Sequence, residues 1–412
     1  MPDSAPPAMA PADPKPARSL RALWQGVFYV SWPFFILSLL LPVYGKQVGA
    51  SVVEIGLFFS AFSLVTVLLR PLVGWGIDRY GRRPFLLAGL LGYALTMLSF
   101  AFIDQVWSMV AARVLQGVSS SFVWLAANAI TADLAGNARR GRAFGSLAQA
   151  SARGSIVGTF VGFAVLSSGL TLGGNEYALG GWPLLFLGYA LVALIGLACA
   201  LRGVSETRPA AGPRASQPIA WSRNWALLLL VTLVTGASWA LVSPILIIFL
   251  QDRLAVGVDV LSWAFLPSAL VWALLPSHLG RLADRFGRKP LMVAGLVAAA
   301  LSSLLIPSLT SVVALAVLWA FQALCYAAGD PAEQALVADL TGGDQRGRAY
   351  GIYVACNDLG ATIGPLGGAW LYQHLGAQAP FQANGLVLAL CAVAIGLLLR
   401  EARQSATPPQ RG

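Results

Sequence analysis

The sequence predicts an all-α integral membrane protein, with twelve transmembrane helices in two parallel six-helix repeats around a central cavity. Three observations predict it. Hydrophobic residues make up 57% of the 412-residue chain and charged residues only 11%, against about 25% charged in an ordinary soluble domain. The apolar residues fall in runs long enough to cross a bilayer, which takes about 20 residues each. The polar landmarks of the first half recur in the second at a constant offset, as Gly74 does at Gly280. So few charges could not cover a soluble surface, and disorder needs the opposite composition. A transmembrane barrel would show short alternating segments instead of long unbroken ones.

Taken in order, the candidate spans are 22–44, 52–74, 84–103, 107–132, 144–170, 182–201, 223–250, 258–279, 290–309, 311–337, 348–372 and 380–400. Residues 1–21 are rich in Pro and Ala and lack an apolar core, so they are expected to form a disordered cytoplasmic tail. The run that starts at 22 is too long for a signal peptide's core. Residues 22–201 are expected to form an N-terminal six-helix bundle and 223–400 a C-terminal one. The linker 202–222 between them carries Pro209, Gly212, Pro213 and Pro218 among Arg202, Arg208 and Arg214. Residues 401–412 are expected to form a second cytoplasmic tail. Of the 27 Lys and Arg, only Lys46 and Arg253 fall in odd-numbered connections, and only Arg113 and Arg153 lie well inside spans, with Arg70 counted to the flank of the second connection. The rest sit in the tails, the linker and the even-numbered connections, which puts both termini in the cytoplasm.

The net charge of +10 invites a nucleic-acid reading. The positive charges, however, sit in short loops between apolar runs, with no basic stripe interleaved with exposed aromatics. Cys199, Cys325, Cys356 and Cys391 all lie in apolar runs without a CxxC pair, as packing residues would. His278 and His374 are the only histidines, too few for a metal or catalytic centre. No phosphate-binding G-x-x-x-x-G-K-[ST] loop occurs, so ATP is not the driver. No nucleophile elbow occurs either. The expectation is a non-enzyme without cofactor or metal.

The internal repeat is specific. Gly74, Asp78, Arg79, Gly81, Arg82, Arg83 and Pro84 fall on Gly280, Asp284, Arg285, Gly287, Arg288, Lys289 and Pro290. Gln116 falls on Gln322, Asp133 on Asp339, and Gly154, Gly158 and Gly162 on Gly360, Gly364 and Gly368. Six spans per half make the repeats parallel, an arrangement found in secondary transporters that bind substrate at the midplane. The Asp78-Arg79-x-Gly81-Arg82-Arg83 loop and its twin resemble the signature of the major facilitator superfamily. Arg113-Val-Leu-Gln116-Gly117 is similar to that superfamily's second motif, typical of its 12-span proton-coupled drug and metabolite exporters. The antiporter form of the fifth-span motif, G-x-x-x-G-P-x-x-G-G, is not matched there. Gly158 is followed by Thr159, and the proline form stands instead in the eleventh span, as Gly364-Pro365-x-Gly367-Gly368.

The loop charges have two readings: positive residues that hold loops inside, and a latch. In the latch, Gly74, Asp78, Arg79, Gly81, Arg82 and Asp133, with Gly280, Asp284, Arg285, Gly287, Arg288 and Asp339 as twin, build ion pairs that close the cytoplasmic side. Inside the spans, Arg113 shares a helix face with Gln116, Ser120 and Trp124. A charge there costs roughly 2.5–3.5 kcal/mol on insertion scales, so it faces a wet cavity or caps interior carbonyls. The tenth span carries the matching face of Trp319, Gln322, Tyr326, Asp330 and Glu333, with Pro331 able to unwind it. Asp358, beside Asn357, lies midway through the eleventh span. An acid in a low-dielectric interior holds its proton more tightly, which suits a proton carrier. Asp358, then Asp330, then Glu333, with Arg113 modulating release, are the coupling candidates. Arg153 reads as a substrate anchor or an ion-pair partner. Tyr29, Trp32, Trp239, Trp263 and Trp272 read as cavity-lining or as packing and interfacial residues. The glycines of spans five and eleven read as close helix packing.

The resemblance implies a secondary active transporter working by alternating access. Proton-coupled efflux of amphipathic or drug-like compounds is the leading expectation. An uptake symporter for a sugar, organic acid or other metabolite is the alternative, and a non-transporting receptor or membrane enzyme a remote one. The expected partners are a small-molecule substrate, protons and the lipid bilayer, with no nucleic acid. The expected state is a monomer in the bacterial inner membrane.

Overall fold

A computed structural model describes residues 14–134, 140–168, 181–207, 221–274, 287–340 and 346–399. Among these residues the regular structure is all helical. The first predicted span is broken into α1 (Pro14–Val30), α2 (Phe34–Leu39) and α3 (Leu41–Gln47). Pro33 ends the turn after α1, and Pro42 sits in the first turn of α3. A proline brings no backbone donor and disfavours a helical residue before it, so the continuous helix expected over 22–44 is interrupted at both places. The expected tail is also shorter, because α1 begins at Pro14. Ser19, Ala22 and Leu23 share one face of that first stretch and are buried. This burial holds as helix a segment whose composition alone reads as disordered.

The remaining helices are α4 (Val52–Tyr80), α5 (Arg82–Ala101), α6 (Val106–Leu134), α7 (Arg140–Ser167), α8 (Trp182–Gly203), α9 (Arg223–Leu254) and α10 (Val258–Leu274). They are followed by α11 (Arg288–Leu305), α12 (Val312–Leu340), α13 (Arg346–Leu375) and α14 (Ala379–Leu398). With α1 to α3 as one broken span, helices occupy all twelve predicted positions. Nine of these, among the described residues, are long and apolar enough to cross a membrane. A reciprocal cap opens α4: the Glu54 carboxylate accepts from Ser51 N–H at 2.7 Å, and Ser51 Oγ accepts from Glu54 N–H at 3.3 Å. Ser222 caps α9 through Trp225 N–H at 3.1 Å. The reversals before α5 and α11 pass through Gly81 (φ 101°) and Gly287 (φ 86°), a region closed to most side chains.

The chain divides into two compact units. One holds Met1–Leu37, Leu68–Ile103 and Val114–Gly212; the other holds Ser38–Val67, Asp104–Arg113 and Pro213–Gly412. In the first, α8 packs on α5 and α1, and α7 packs on α1. Phe186 anchors this packing, with its ring stacked on Phe100 at 5.2 Å and on Trp182 at 6.0 Å. In the second, α9 lies along α13, α11 contacts α12 and α14, and α10 contacts α12. One core there gathers Trp225, Leu228, Leu296, Val337 and Ile395, and another Phe249, Leu250, Trp319 and Phe381.

Glycines set how closely two of these pairs approach. A Cβ on Gly154 or Gly158 would overlap the α1 backbone at Phe28 and just beyond it at Trp32. A Cβ on Gly360, Gly364 or Gly368 would overlap the α9 backbone at Leu233, Ala237 and Leu241. Small residues permit this contact, which lipid-embedded helices rely on for association. The outward faces are apolar instead of charged: Leu68, Leu72, Leu191, Val313 and Leu397 are all more than 60% exposed. Such a surface aggregates in water and is at rest in hydrocarbon.

Candidate functional site

The turn between α4 and α5 gathers charge. Arg82, the first residue of α5, is only 7% exposed. Its Nε donates to Asp133 Oδ2 of α6 at 3.0 Å, its Nη1 donates to the Ile77 carbonyl at 3.3 Å, and its Nη2 lies 3.4 Å from Asp78 Oδ1. A buried guanidinium needs such partners, because an uncompensated buried charge is costly. Asp78 is the outer partner, with its side chain 71% exposed, and Asp133 the inner one. Arg79 takes no part in this pair. It lies over the Trp75 and Tyr80 rings, at 5.2 and 5.7 Å. A Cβ on Gly74 would meet open space. In the second half, Gly280, Asp284 and Arg285 lie outside the described residues, as does His278, and so do the side chains of Asp339, Asp330, Pro331 and Trp272. Gly287 repeats the positive φ of Gly81, and Arg288 opens α11 as Arg82 opens α5. The next residue of each pair repeats a contact: Arg83 Nη2 donates to the Leu201 carbonyl, and Lys289 Nζ to that of Leu399, both at 2.8 Å.

Inside α6, Arg113 is 4% exposed. Its Nε donates to the Phe58 carbonyl of α4 at 2.9 Å, and its guanidinium lies over Phe59 and Phe62 at 4.9 and 4.6 Å. Arg113 thus caps an interior carbonyl. A carbonyl and two aromatic faces lie against the charge, contacts that a low-dielectric interior can offer a guanidinium. Gln116 and Ser120 follow it and are buried, and Ser119 and Ser121 return their hydroxyls to their own helix. Trp124 is half-buried, with its ring 5.8 Å from Phe34 of α2.

In the second half the structure brings Glu333 of α12 to Thr232 of α9, whose hydroxyl donates to Oε1 at 3.2 Å. Tyr326 meets Trp239 edge to face at 6.0 Å, joining the same two helices. Trp319 points elsewhere, into the core, stacked on Phe265 at 3.9 Å. Gln322 is half-buried. Asp358 is half-buried and Asn357 exposed, on the stretch of α13 that crosses α9 where Asn357 backs onto Gly236. Arg153 is exposed, Tyr29 and Trp32 are half-buried beside Phe28, and Trp239 and Trp263 are 57% and 73% exposed.

Four arrangements escape the sequence patterns. Ser238, Asn384 and Ser303 form a buried hydrogen-bond chain joining α9, α14 and α11. An asparagine inside an apolar run is the signal that would have found it. Lys46 of α3 pairs with Asp252 of α9 at 3.5 Å, and Gly56 of α4 lies against the Pro365 carbonyl of α13. Glu206 and Thr207, at the start of the linker, reach the Arg82–Asp133 pair. A motif scan treats those two residues as spacer.

Comparison with known proteins bears on the same features. The profile of the Major Facilitator Superfamily matches residues 23–229 and 228–412. The multidrug resistance protein MdtG of Enterobacter lignolyticus is 28% identical over 413 residues, covering 95% of each chain. Among solved structures, the human organic anion transporter MFSD10 aligns over 93% of this chain and 100% of its own, with a TM-score of 0.66 and 22% identity. A bacterial homologue of the human lysosomal transporter Spinster aligns over 93% and 97%, with a TM-score of 0.71 and 15% identity. Carrying the family's profile through both of its repeats, on twelve helical span positions and the paired glycine turns before α5 and α11, this multi-pass membrane protein belongs to the Major Facilitator Superfamily and moves a small molecule across the membrane.

Proposed function

We propose that the chain is a proton-coupled antiporter that exports amphipathic or drug-like compounds by alternating access, without covalent chemistry on its cargo. It works as a monomer in the bacterial inner membrane with both termini in the cytoplasm. The observation that carries this reading is the Arg113–Gln116 stretch of α6, with its arginine withdrawn from solvent between Phe58, Phe59 and Phe62. It is supported by full-length similarity to a multidrug resistance protein. Asp358, Asp330 and Glu333 are the proton carriers in order of preference, and Arg113 modulates release. The Arg82 ion pairs act as the cytoplasmic latch.

Inside-out vesicles, acidified inside and loaded with a pH-sensitive dye, test it. Adding a panel of amphipathic cations and neutral drugs outside should release protons for at least one compound. The displacement of the proline motif from the fifth span to the eleventh favours a second reading, uptake by symport. A symporter releases protons only when its cargo, such as a sugar or an organic acid, is loaded inside. That outcome would overturn export.

A further inference from the structure

We propose that Glu206 is a positioning residue of the latch: it seats the first turn of α5 from the linker and thereby aims Arg82 at Asp133. This rests on reading the Arg82 ion pairs as a latch. After α8 the chain turns extended at Val204, which is 3% exposed and whose N–H still reaches the Ala200 carbonyl at 2.9 Å. Ser205 pins it to α1, its N–H and its hydroxyl lying 3.1 and 3.2 Å from Ser19 Oγ. Glu206 then arrives under α5. Its Oε1 accepts from Arg82 N–H at 2.8 Å and its Oε2 from Arg83 N–H at 3.1 Å.

These are the first two N–H groups of α5, which have no partner within the helix. The residue at the helix start, Gly81, offers no side-chain cap. Glu206 supplies one from a distant part of the chain, with its negative charge at the positive end of the helix. The fit is built in. A Cβ on Gly81 would stand 2.5 Å from Glu206 Oε2 and 2.8 Å from its Cδ. Glycine at that position therefore serves both the positive φ and the carboxylate's seat. Thr207 completes the strap: its N–H donates to Glu206 Oε1 at 2.9 Å, and its hydroxyl donates to Asp133 Oδ2, also at 2.9 Å. That oxygen is the one that accepts from Arg82 Nε. Consecutive linker residues thus hold the backbone of the cation and the carboxylate of the anion. The linker's first residues belong to the ion-pair cluster.

Hydrogen–deuterium exchange on the full-length protein in lipid nanodiscs tests this without a substrate. Glu206→Gln should speed exchange at least threefold in 82–86 and also in 130–134, the stretch around Asp133. Glu206→Asp should recover part of both, because the charge is kept. Glu206→Gln combined with Asp133→Asn should exchange no faster at 82–86 than the faster single variant, since groups acting through one another are not additive. Faster exchange confined to 82–86, or none at all, would reduce Glu206 to a helix cap or less and overturn the proposal. Thr207→Val, which keeps the carboxylate, serves if Glu206→Gln fails to fold. Loosening at 130–134 without loosening at 82–86 is the expected pattern for it, and an unchanged 130–134 counts against the strap. The latch reading fails separately: Asp133→Asn protein that transports at the wild-type rate in the vesicle assay sinks the latch, whatever the exchange shows.

Discussion

Arg113 shows what the membrane interior asks of a single charge. Its guanidinium is nearly sealed from solvent, and the Phe58 carbonyl and two phenylalanine faces lie against it. Arg82 meets the same demand with carboxylates, and its two partners are unequal. Asp133 lies at 3.0 Å and Asp78 at 3.4 Å with a largely exposed side chain. Neutralising Asp133 leaves the buried guanidinium with only the exposed Asp78 as a carboxylate partner, and breaking a buried pair costs about 3–5 kcal/mol. An exposed pair contributes about 0–1 kcal/mol. Asp133→Asn should therefore lower the melting temperature in detergent well beyond Asp78→Asn, while both slow transport. Equal melting temperatures for the two would contradict this ranking of partners. The proposed coupling acids make a second residue-scale prediction. Asp358→Asn, Asp330→Asn and Glu333→Gln should be measured for uphill transport beside downhill substrate exchange. The amide of a proton carrier loses the first and keeps the second, with the largest loss expected at Asp358. Full uphill transport in all three would move the proton pathway out of this half. The Thr232 hydroxyl on Glu333 adds that Glu333→Gln, which still offers an oxygen acceptor, leaves folding intact.

At the scale of helices, prolines and glycines act through their surroundings. Pro33 and Pro42 break the first span, yet Pro71, Pro244, Pro267 and Pro365 lie within continuous helices. Neighbouring helices and side chains can satisfy the backbone groups a proline frees, so its presence alone does not decide a break. Gly154 and Gly158 of α7 and Gly360, Gly364 and Gly368 of α13 are more decisive, because they face backbone. Overpacking a core costs about 1–3 kcal/mol where neighbours can shift, and a helix backbone shifts little. Gly158→Leu and Gly364→Leu should each abolish well-folded protein or lower the melting temperature by 10 °C or more. Gly145→Ala and Gly367→Ala, whose Cβ would meet open space, should leave it unchanged or raise it slightly, since alanine favours helix by up to about 1 kcal/mol. Fluorescence-detected size-exclusion chromatography on the four variants reads this directly. A well-behaved Gly158→Leu protein would refute the close approach of α7 to α1.

For the whole molecule, the distribution of Lys and Arg sets the expected topology. Single cysteines replacing Val48 and Asp104 should react with an impermeant maleimide added outside intact cells, and those replacing Arg140 and Gly212 should not. Outside labelling at 212 would overturn the cytoplasmic placement of the linker. Composition and spacing by themselves determined the membrane class, the twelve helical positions, the repeat and the family, because each depends on local or periodic properties. Span length follows from apolar runs, and the repeat from polar residues in register. Residues 14–21 and the broken first span were not legible, since helix there depends on burying Ser19 and on which prolines find compensation. Nor was the composition of the ion-pair cluster. Asp78 and Arg82 are four residues apart and readable from spacing, whereas Glu206 reaches Arg82 across more than a hundred residues of chain, through a seat that exists only once α5, α6 and α8 have packed. Sequence set which residues carry charge, and tertiary structure decided which charges meet, because pairing depends on distances that no local pattern encodes.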